Sequence, residues 1–484
     1  MRSITHYVNG RPLASASGRS GPVSDPATGE QTGVVDFVSG AGVDAAIKTA
    51  TNAAKGWRAS SLAARAEILF SFRELLAARR EEVARLVTAE HGKVLSDAAG
   101  EVARGIENVE FACGIPQLLK GGYSEQASRG VDVYSVLQPL GVVAGISPFN
   151  FPAMVPLWMC ANAIGCGNCF VLKPGEKDPS PSLLIAGLCR EAGLPDGVFT
   201  VLQGDREAVE RILDHPDIAA VSFVGSTPVA RHLYETSTRN GKRVEALAGA
   251  KNHMVVLPDA DLDMAPDGPV SAGYGSARER WMAVSVLMAV GHVGDQLVEA
   301  IAERTQQVKV GPGDDPSSQM GPLATAEHRQ RVASYLSDPA LGGARVVVDG
   351  RESSPTGGGF FLGPSLADGV QPGTRVYDDE IFGPVLSVVR VDGHDEAVAL
   401  VNSNRWANGV AVFTRDGGAA RSFQFDIEAG MVGINVPIPV PASDYSFWGL
   451  ERVAVRRPAH VRTRGHQVLQ PDQSGDLTLA PPAH

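Results

Sequence analysis

Between residues 41 and 122, apolar residues recur at three- and four-residue intervals among Arg and Glu, which predicts amphipathic helices. The runs Val43 to Trp57 and Ala63 to Glu90 carry this pattern most clearly. Val131 to Gln138 alternates instead and predicts an exposed or bridging strand. From Gly141 the chain turns to short, wholly apolar runs. Gly141 to Ile146, Cys169 to Lys173, Val198 to Leu202 and Ala219 to Val224 read as buried strands. Between and after them, Pro152 to Ile164, Ser180 to Ala192, Arg206 to Leu213 and a segment from about Pro228 read as helices. This alternation predicts an α/β fold, a parallel sheet with helices on its faces. A second α/β region begins near Gly249 and includes Met254 to Leu257, Arg345 to Val348 and Val385 to Val391. No internal repeat is evident. After Tyr445 the periodicity is lost: Arg452, Arg456, Arg457, Arg462 and Arg464 crowd together, and four prolines follow from Pro458 onward.

Composition narrows the class. A chain of 484 residues with 44% hydrophobic content has ample core for about three domain-sized units. A net charge of −11 argues against nonspecific nucleic-acid binding, though not against a local phosphate site. The first residues lack an apolar core of signal-peptide length. The most apolar stretch, Val136 to Leu172, is broken by Pro139, Pro148, Pro152 and Pro156 and does not read as a membrane span. The five cysteines, Cys113, Cys160, Cys166, Cys169 and Cys189, form an odd set and suggest reduced thiols in a cytoplasmic protein. Cys166 and Cys169 have redox-motif spacing. With no second pair for zinc, no metal site is expected and buried structural thiols are the favoured reading.

Four strand ends carry chemistry. In Ser147-Pro148-Phe149-Asn150-Phe151-Pro152, the Asn150 amide can donate to an oxyanion without ionising, or simply close an Asx turn. In Lys173-Pro174-Gly175-Glu176, a cation and an anion three residues apart end a strand, suited to ribose hydroxyls or to a solvated loop. In Val224-Gly225-Ser226-Thr227-Pro228, Gly225 allows close backbone approach and Ser226 or Thr227 can cap a helix whose N-terminus faces phosphate; any strand–helix junction can use these residues structurally. Glu380-Ile381-Phe382-Gly383-Pro384 can hold a sugar diol beside a flat ring, or be an acidic turn. The Gly-x-Gly-x-x-Gly fingerprint is absent here; Gly273-Tyr274-Gly275 begins one but meets Arg278.

Taken together and in this order, the motifs resemble the aldehyde dehydrogenase superfamily over roughly residues 6–447. Pro148 to Met159, Gly249 to His253, Arg104 to Phe111 and Asn435 to Pro441 resemble its methylmalonate-semialdehyde dehydrogenase branch, which acylates coenzyme A. The resemblance implies two α/β domains plus bridging strands. The NAD-binding domain would take 1–125 and 141–247, the catalytic domain 248–440, and the bridging and oligomerisation segments 126–140 and 441–484. It implies Asn150 as oxyanion donor. It also implies Phe149, Lys173, Glu176, Gly225, Ser226, Glu380 and Phe382 around NAD, and Arg104 and Arg280 near a substrate carboxylate. Leu247 stands where hydrolytic relatives carry the glutamate that activates water, which fits acyl transfer to coenzyme A. The family assembles as a homotetramer through its C-terminal strand.

Two departures bear on activity. The family's nucleophilic cysteine position is Trp281, and an indole has no ionisable nucleophile. Arg278 stands where the family has glycine, placing bulk and charge in a tight loop. The resemblance also stops after Phe447. Read one base out of frame just beyond it, the tail permits Gly-Gly-Trp followed by Phe-Gly-Asp-Pro-His-Thr-Tyr-Gly, text typical of the family, so residues from about 448 are expected to be out of frame. As written, such a tail would not complete the tetramer edge. Three readings follow: an NAD- and coenzyme A-dependent semialdehyde dehydrogenase by descent that is inactive as written, a noncatalytic NAD-binding or oligomer-partner protein, and an aldehyde dehydrogenase of other specificity.

Overall fold

The computed structural model describes residues 1–437 apart from 264, 354 and 356, together with residues 443, 450 and 451. Most of the tail expected to be out of frame lies outside the described residues.

Two seven-stranded sheets organise the chain. In the first, the strands run in the order Arg243–Leu247, Ile218–Val224, Val142–Ile146, Cys169–Lys173, Phe199–Val201, His6–Val8, Arg11–Leu13. The first five are mutually parallel, and the last two add antiparallel at the edge. Wholly buried Val- and Ile-rich runs form these strands because helices cover the sheet. Val142–Ile146 pairs with Cys169–Lys173 on one side and Ile218–Val224 on the other, so the winding direction reverses around it. A crevice opens beyond the carboxyl ends at such a reversal.

The second sheet runs Arg345–Val348, Ser365–Asp368, Val385–Val391, Val284–Val290, Asn252–Val256, Gly409–Phe413, Met431–Ile434. All pairs are parallel except the outermost, Arg345–Val348 against Ser365–Asp368. Each sheet carries its own apolar core, one spanning Tyr7 to Ala250 and the other Met254 to Ile427. Trp281 is the exception: it joins the first core although its neighbours in sequence belong to the second.

Two expected elements differ. Ala63 to Glu90 is not one helix but two, Leu62–Ala78 and Arg80–His91, broken at Arg79 with φ −109° and ψ 17°. The buried stripe Leu69, Phe72, Leu76, Val83, Val87 stays in phase across the break, so periodicity does not reveal it. The alternating strand stops at Tyr134 instead of Gln138. Its partner Tyr123–Ser128 begins after Gly121 and Gly122, and a side chain at Gly121 would collide with the carbonyl of Ser135. Both strands of this hairpin are exposed throughout.

Candidate active site

The sequence-chosen motifs converge on the carboxyl ends of the first sheet. Val142–Ile146 leads into Phe149 and Asn150, Cys169–Lys173 into Glu176, and Ile218–Val224 into Gly225 and Ser226. The junctions are tight: a Cβ on Gly175 would stand 3.0 Å from the Phe149 Cα. Lys173, buried at the strand end, donates to Oε2 of Glu176 at 2.8 Å. Burial pushes the Glu176 carboxyl up, but Lys173, its own backbone and Lys177 more than reverse this, leaving it below the ordinary range. Neither Ser226 nor Thr227 caps the following helix Thr227–Arg239. The Ser226 side chain makes no capping bond, and the Thr227 hydroxyl instead accepts from the Gly249 N–H at 3.1 Å. The crossover between the two sheets takes the hydroxyl that a free helix end would have used.

Glu380 crosses from the second sheet to the same place. Its Oε1 accepts from the Ala250 N–H at 2.9 Å, and a Cβ on Gly249 would sit 2.2 Å from its other oxygen. Only glycine leaves room for that carboxylate. Phe382, two residues on, holds φ +59° and meets Phe149 edge-on with ring centroids 6.1 Å apart.

Asn150 is 5% exposed, and its Nδ2 donates to the carbonyl of Glu279 at 2.9 Å. Its own carbonyl accepts from Nζ of Lys93 at 2.6 Å, and Lys93 also pairs with Glu101 at 2.7 Å. The other Glu101 oxygen accepts from the N–H groups of Ala153 and Met154, neutralising the start of helix Met154–Gly165.

The loop carrying Trp281 is built differently. Ser276, Ala277 and Arg278 all hold positive φ, at 52°, 49° and 57°. Left-handed backbone costs a non-glycine residue about 1–2 kcal/mol. Asp97 clamps the run by accepting from the N–H and hydroxyl of Ser276, each at 2.9 Å. Arg278 is 3% exposed and donates to the carbonyls of Val284, Gly383 and Val385 at 2.9–3.0 Å. Burial pulls its guanidinium down to about 10. Asn252 grips the loop's exit through the carbonyls of Trp281 and Ala283, both at 2.9 Å.

The two candidate substrate arginines are not a pair here. Arg280 binds Asp97 at 2.6 Å, whereas Arg104 is exposed and binds Glu107 at 2.7 Å. Asp97 and Arg104 lie seven residues apart on helix Leu95–Cys113, hence on one face about 10 Å apart.

All five cysteines are buried, and no disulfide joins any two of them. Burial pushes the Cys113 thiol up to about 11 and those of Cys160 and Cys169 up to about 12, and raises Cys189 well above its ordinary value. Such thiols are not thiolates at neutral pH. Among the described residues no cluster of His, Cys, Asp and Glu could hold a metal, and no helix is long and apolar enough to cross a membrane.

Residues 13–459 match the model of the aldehyde dehydrogenase family. The chain belongs to that family. A malonate-semialdehyde dehydrogenase of Pseudomonas aeruginosa is 50% identical over 455 residues, which cover 93% of this chain and 91% of that one. A methylmalonate-semialdehyde dehydrogenase of Sinorhizobium meliloti, solved with NAD, superposes with a TM-score of 0.94 at 46% identity, covering 97% of this chain and 95% of that one. Its counterpart from Oceanimonas doudoroffii gives 0.93 at 49%, covering 94% of each.

Within this aldehyde dehydrogenase fold, sequence reasoning missed the buried charges beneath Asn150. Glu101 sits in phase with Ala98, Val102 and Gly105 on the buried face of its helix, a charge at a core position that was a usable signal. The neighbours His91 and Lys93, then Glu279 and His328, come from three separate segments, and nothing local announced their meeting.

Proposed function

We propose that this chain binds NAD in the crevice of the first sheet and descends from enzymes that oxidise malonate or methylmalonate semialdehyde to acetyl- or propionyl-coenzyme A. As written, it does not carry out the covalent step. One observation carries the second half: the nucleophile position is Trp281, 9% exposed and packed into the first core, while the chain's thiols are buried elsewhere. The convergence of Lys173, Glu176, Gly225 and Glu380 supports the first half, because none of them depends on a thiol. Those residues fit a dinucleotide: a cation–carboxylate pair at one strand end, and a carboxylate seated on a glycine opposite it. NAD supplies a hydride acceptor when bound. Lys173 and Glu176 would hold the adenosine ribose, Gly225 and Ser226 would approach the pyrophosphate, and Glu380 would take the second ribose with Phe149 and Phe382 flanking the ring. Asn150 would face a developing oxyanion only after releasing the Glu279 carbonyl.

The sheets change at Leu247–Asn252, which supports a nucleotide-binding domain over 1–125 and 141–247 and a catalytic domain over 248–440. The same reading gives a cytoplasmic protein and a coenzyme A site in the intact family member. It also gives a homotetramer whose edge the tail, as written, does not complete. The deciding experiment assays the chain and its Trp281→Cys variant with NAD, coenzyme A and a panel of aldehydes including both semialdehydes. Turnover confined to Trp281→Cys and to the semialdehydes supports the proposal. Turnover by the unmodified chain overturns the inactivity, and a preference for uncharged aldehydes overturns the substrate class.

A further inference from the structure

The Glu279 side chain is fully enclosed between two imidazoles. Its Oε2 lies 3.6 Å from Nε2 of His91, and its Oε1 lies 3.5 Å from Nε2 of His328. These histidines reach the two aromatic segments of the site, those of Phe149 and Phe382. The His91 ring stacks on Phe149 with centroids 6.0 Å apart. Nε2 of His328 donates to the Phe382 carbonyl at 2.7 Å. A carbonyl only accepts, so Nε2 carries the proton, and Nδ1 accepts from Arg331 at 3.2 Å. His328 is therefore a neutral imidazole in one tautomer.

Glu279 Oε1 also accepts from the Ala324 N–H at 3.4 Å. Its Oε2 makes no hydrogen bond, and neither does either ring nitrogen of His91. The cations nearby are engaged elsewhere. Lys93 is held by Glu101 and the Asn150 carbonyl, Arg331 by the Ile381 carbonyl and His328, and Arg280 by Asp97. An ionised Glu279 would be a buried charge without a paired cation. Burial pushes its carboxyl up to about 8, against smaller opposing pulls from the Ala324 N–H, Lys93 and Arg331. Burial likewise holds His328 down at about 4 and His91 well below the usual imidazole range, with Arg331 adding to the first and Lys93 and Arg280 to the second. A small closure of the 3.6 Å gap makes Glu279 the donor and His91 the acceptor that each lacks.

We propose that neutral Glu279, donating from Oε2 to Nε2 of His91, is a positioning residue that fixes the separation of the Phe149 and Phe382 segments against which the nicotinamide end of NAD would rest. The proposal rests on the NAD reading above. The Glu279 carbonyl receives the Asn150 amide, so the same residue sets the oxyanion donor as well. With the His91 proton on Nδ1, ionisation would leave Oε2 and Nε2 as two acceptors, break the link to His91, loosen both segments and weaken nucleotide binding.

The test is hydrogen–deuterium exchange on the full chain at about pH 7 and about pH 9, corrected for the intrinsic pH dependence of exchange. It is read over 147–154 and 380–385, with NAD affinity measured on the same samples. In the unmodified protein, exchange over both segments should rise about threefold or more at the higher pH, and NAD affinity should fall about tenfold. Glu279→Gln keeps a donor at every pH and should flatten both profiles. His91→Phe keeps a ring on Phe149 but removes the acceptor; it should show the high-pH behaviour already at pH 7, and it decides the matter should Glu279→Gln not fold. Exchange independent of pH in the unmodified protein, or an unflattened profile in Glu279→Gln, overturns the proposal. Exchange that behaves as expected while NAD binds at neither pH upholds the Glu279–His91 link and overturns the NAD reading instead.

Discussion

At the carboxyl end of the first sheet, Lys173 meets Glu176 at 2.8 Å, and no non-glycine residue over 147–152, 174–176 or 225–227 holds a positive φ. At the turn carrying Trp281, three successive non-glycine residues do, around a buried arginine held only by carbonyls. Both regions are hydrogen-bonded, but the first is only partly buried and the second concentrates the left-handed backbone. Locally consistent sequence marks the first-sheet part of the nucleotide side as an intact design, with Phe382 on the second sheet's side the one left-handed residue assigned to it. The loop's conflict between residue type and backbone falls where the sequence departs from the pattern that its family resemblance implies. On the proposed function, binding and chemistry are therefore expected to be separable here.

The largest effect that can break this comparison is on turnover. Trp281→Cys should raise semialdehyde oxidation from background by several orders of magnitude if the loop still presents residue 281 to the crevice, because a thiolate replaces a group with no nucleophile. Removing a buried indole should also cost about 3 kcal/mol in chemical denaturation. Thiol labelling followed by peptide mapping checks that the new cysteine is the reactive one. A folded variant whose thiol stays unreactive with NAD present would contradict the site assignment.

On the nucleotide side, Gly249→Ala should lower NAD affinity by about tenfold or more, since the new methyl displaces Glu380. Equilibrium titration reads this, and a loss confined to Gly249→Ala with the near-UV circular dichroism and thermal profiles unchanged would place it in the site. The pH dependence of stability should sharpen the contrast. His328 titrates at about 4 when folded and near 6.5 when unfolded, so its proton is favoured in the unfolded chain. Stability should rise as pH goes from about 4 to 6.5, by on the order of 3 kcal/mol from His328, and His328→Gln should remove that share of the rise. Glu279 has the opposite sign: its raised folded value gives a contribution full below about 4.5 and lost as pH climbs through about 8. Urea melts of both variants across pH 4–9 separate the two.

The smallest expected effect lies in the strained loop itself. Arg278→Gly and Arg278→Ala both remove the same three donors, yet only glycine relieves the left-handed backbone. The glycine variant should be the more stable by about 1 kcal/mol in denaturant midpoints. Equal stabilities would mean that the positive φ at 278 carries no cost.

The wholly apolar strands were legible because burial on both faces writes itself as short runs of Val, Ile and Ala; Cys169–Lys173 falls on the residues its pattern marks. The break at Arg79 was not, since a stripe that stays in phase looks continuous. Lys173, Glu176, Gly225 and Glu380 could be chosen from strand-end motifs; the meeting of the first three follows from the sheet order, whereas Glu380 arrives only through packing at the crossover. The capping role expected of Ser226 or Thr227 failed because a tertiary partner, the Gly249 N–H, claimed the hydroxyl. Glu279 escaped notice altogether: its partners His91 and His328 lie 188 and 49 residues away along the chain, and only packing brings them together.

The central claim, that nucleotide binding outlives the covalent step, is met most directly by a calorimetric titration of NAD into the folded chain as written, continued with malonate semialdehyde while reduced nucleotide is followed by absorbance. The account predicts a saturable heat of binding to one site per chain and no reduced nucleotide. Absence of binding by folded protein, or reduced nucleotide formed at an ordinary enzymatic rate, would contradict it.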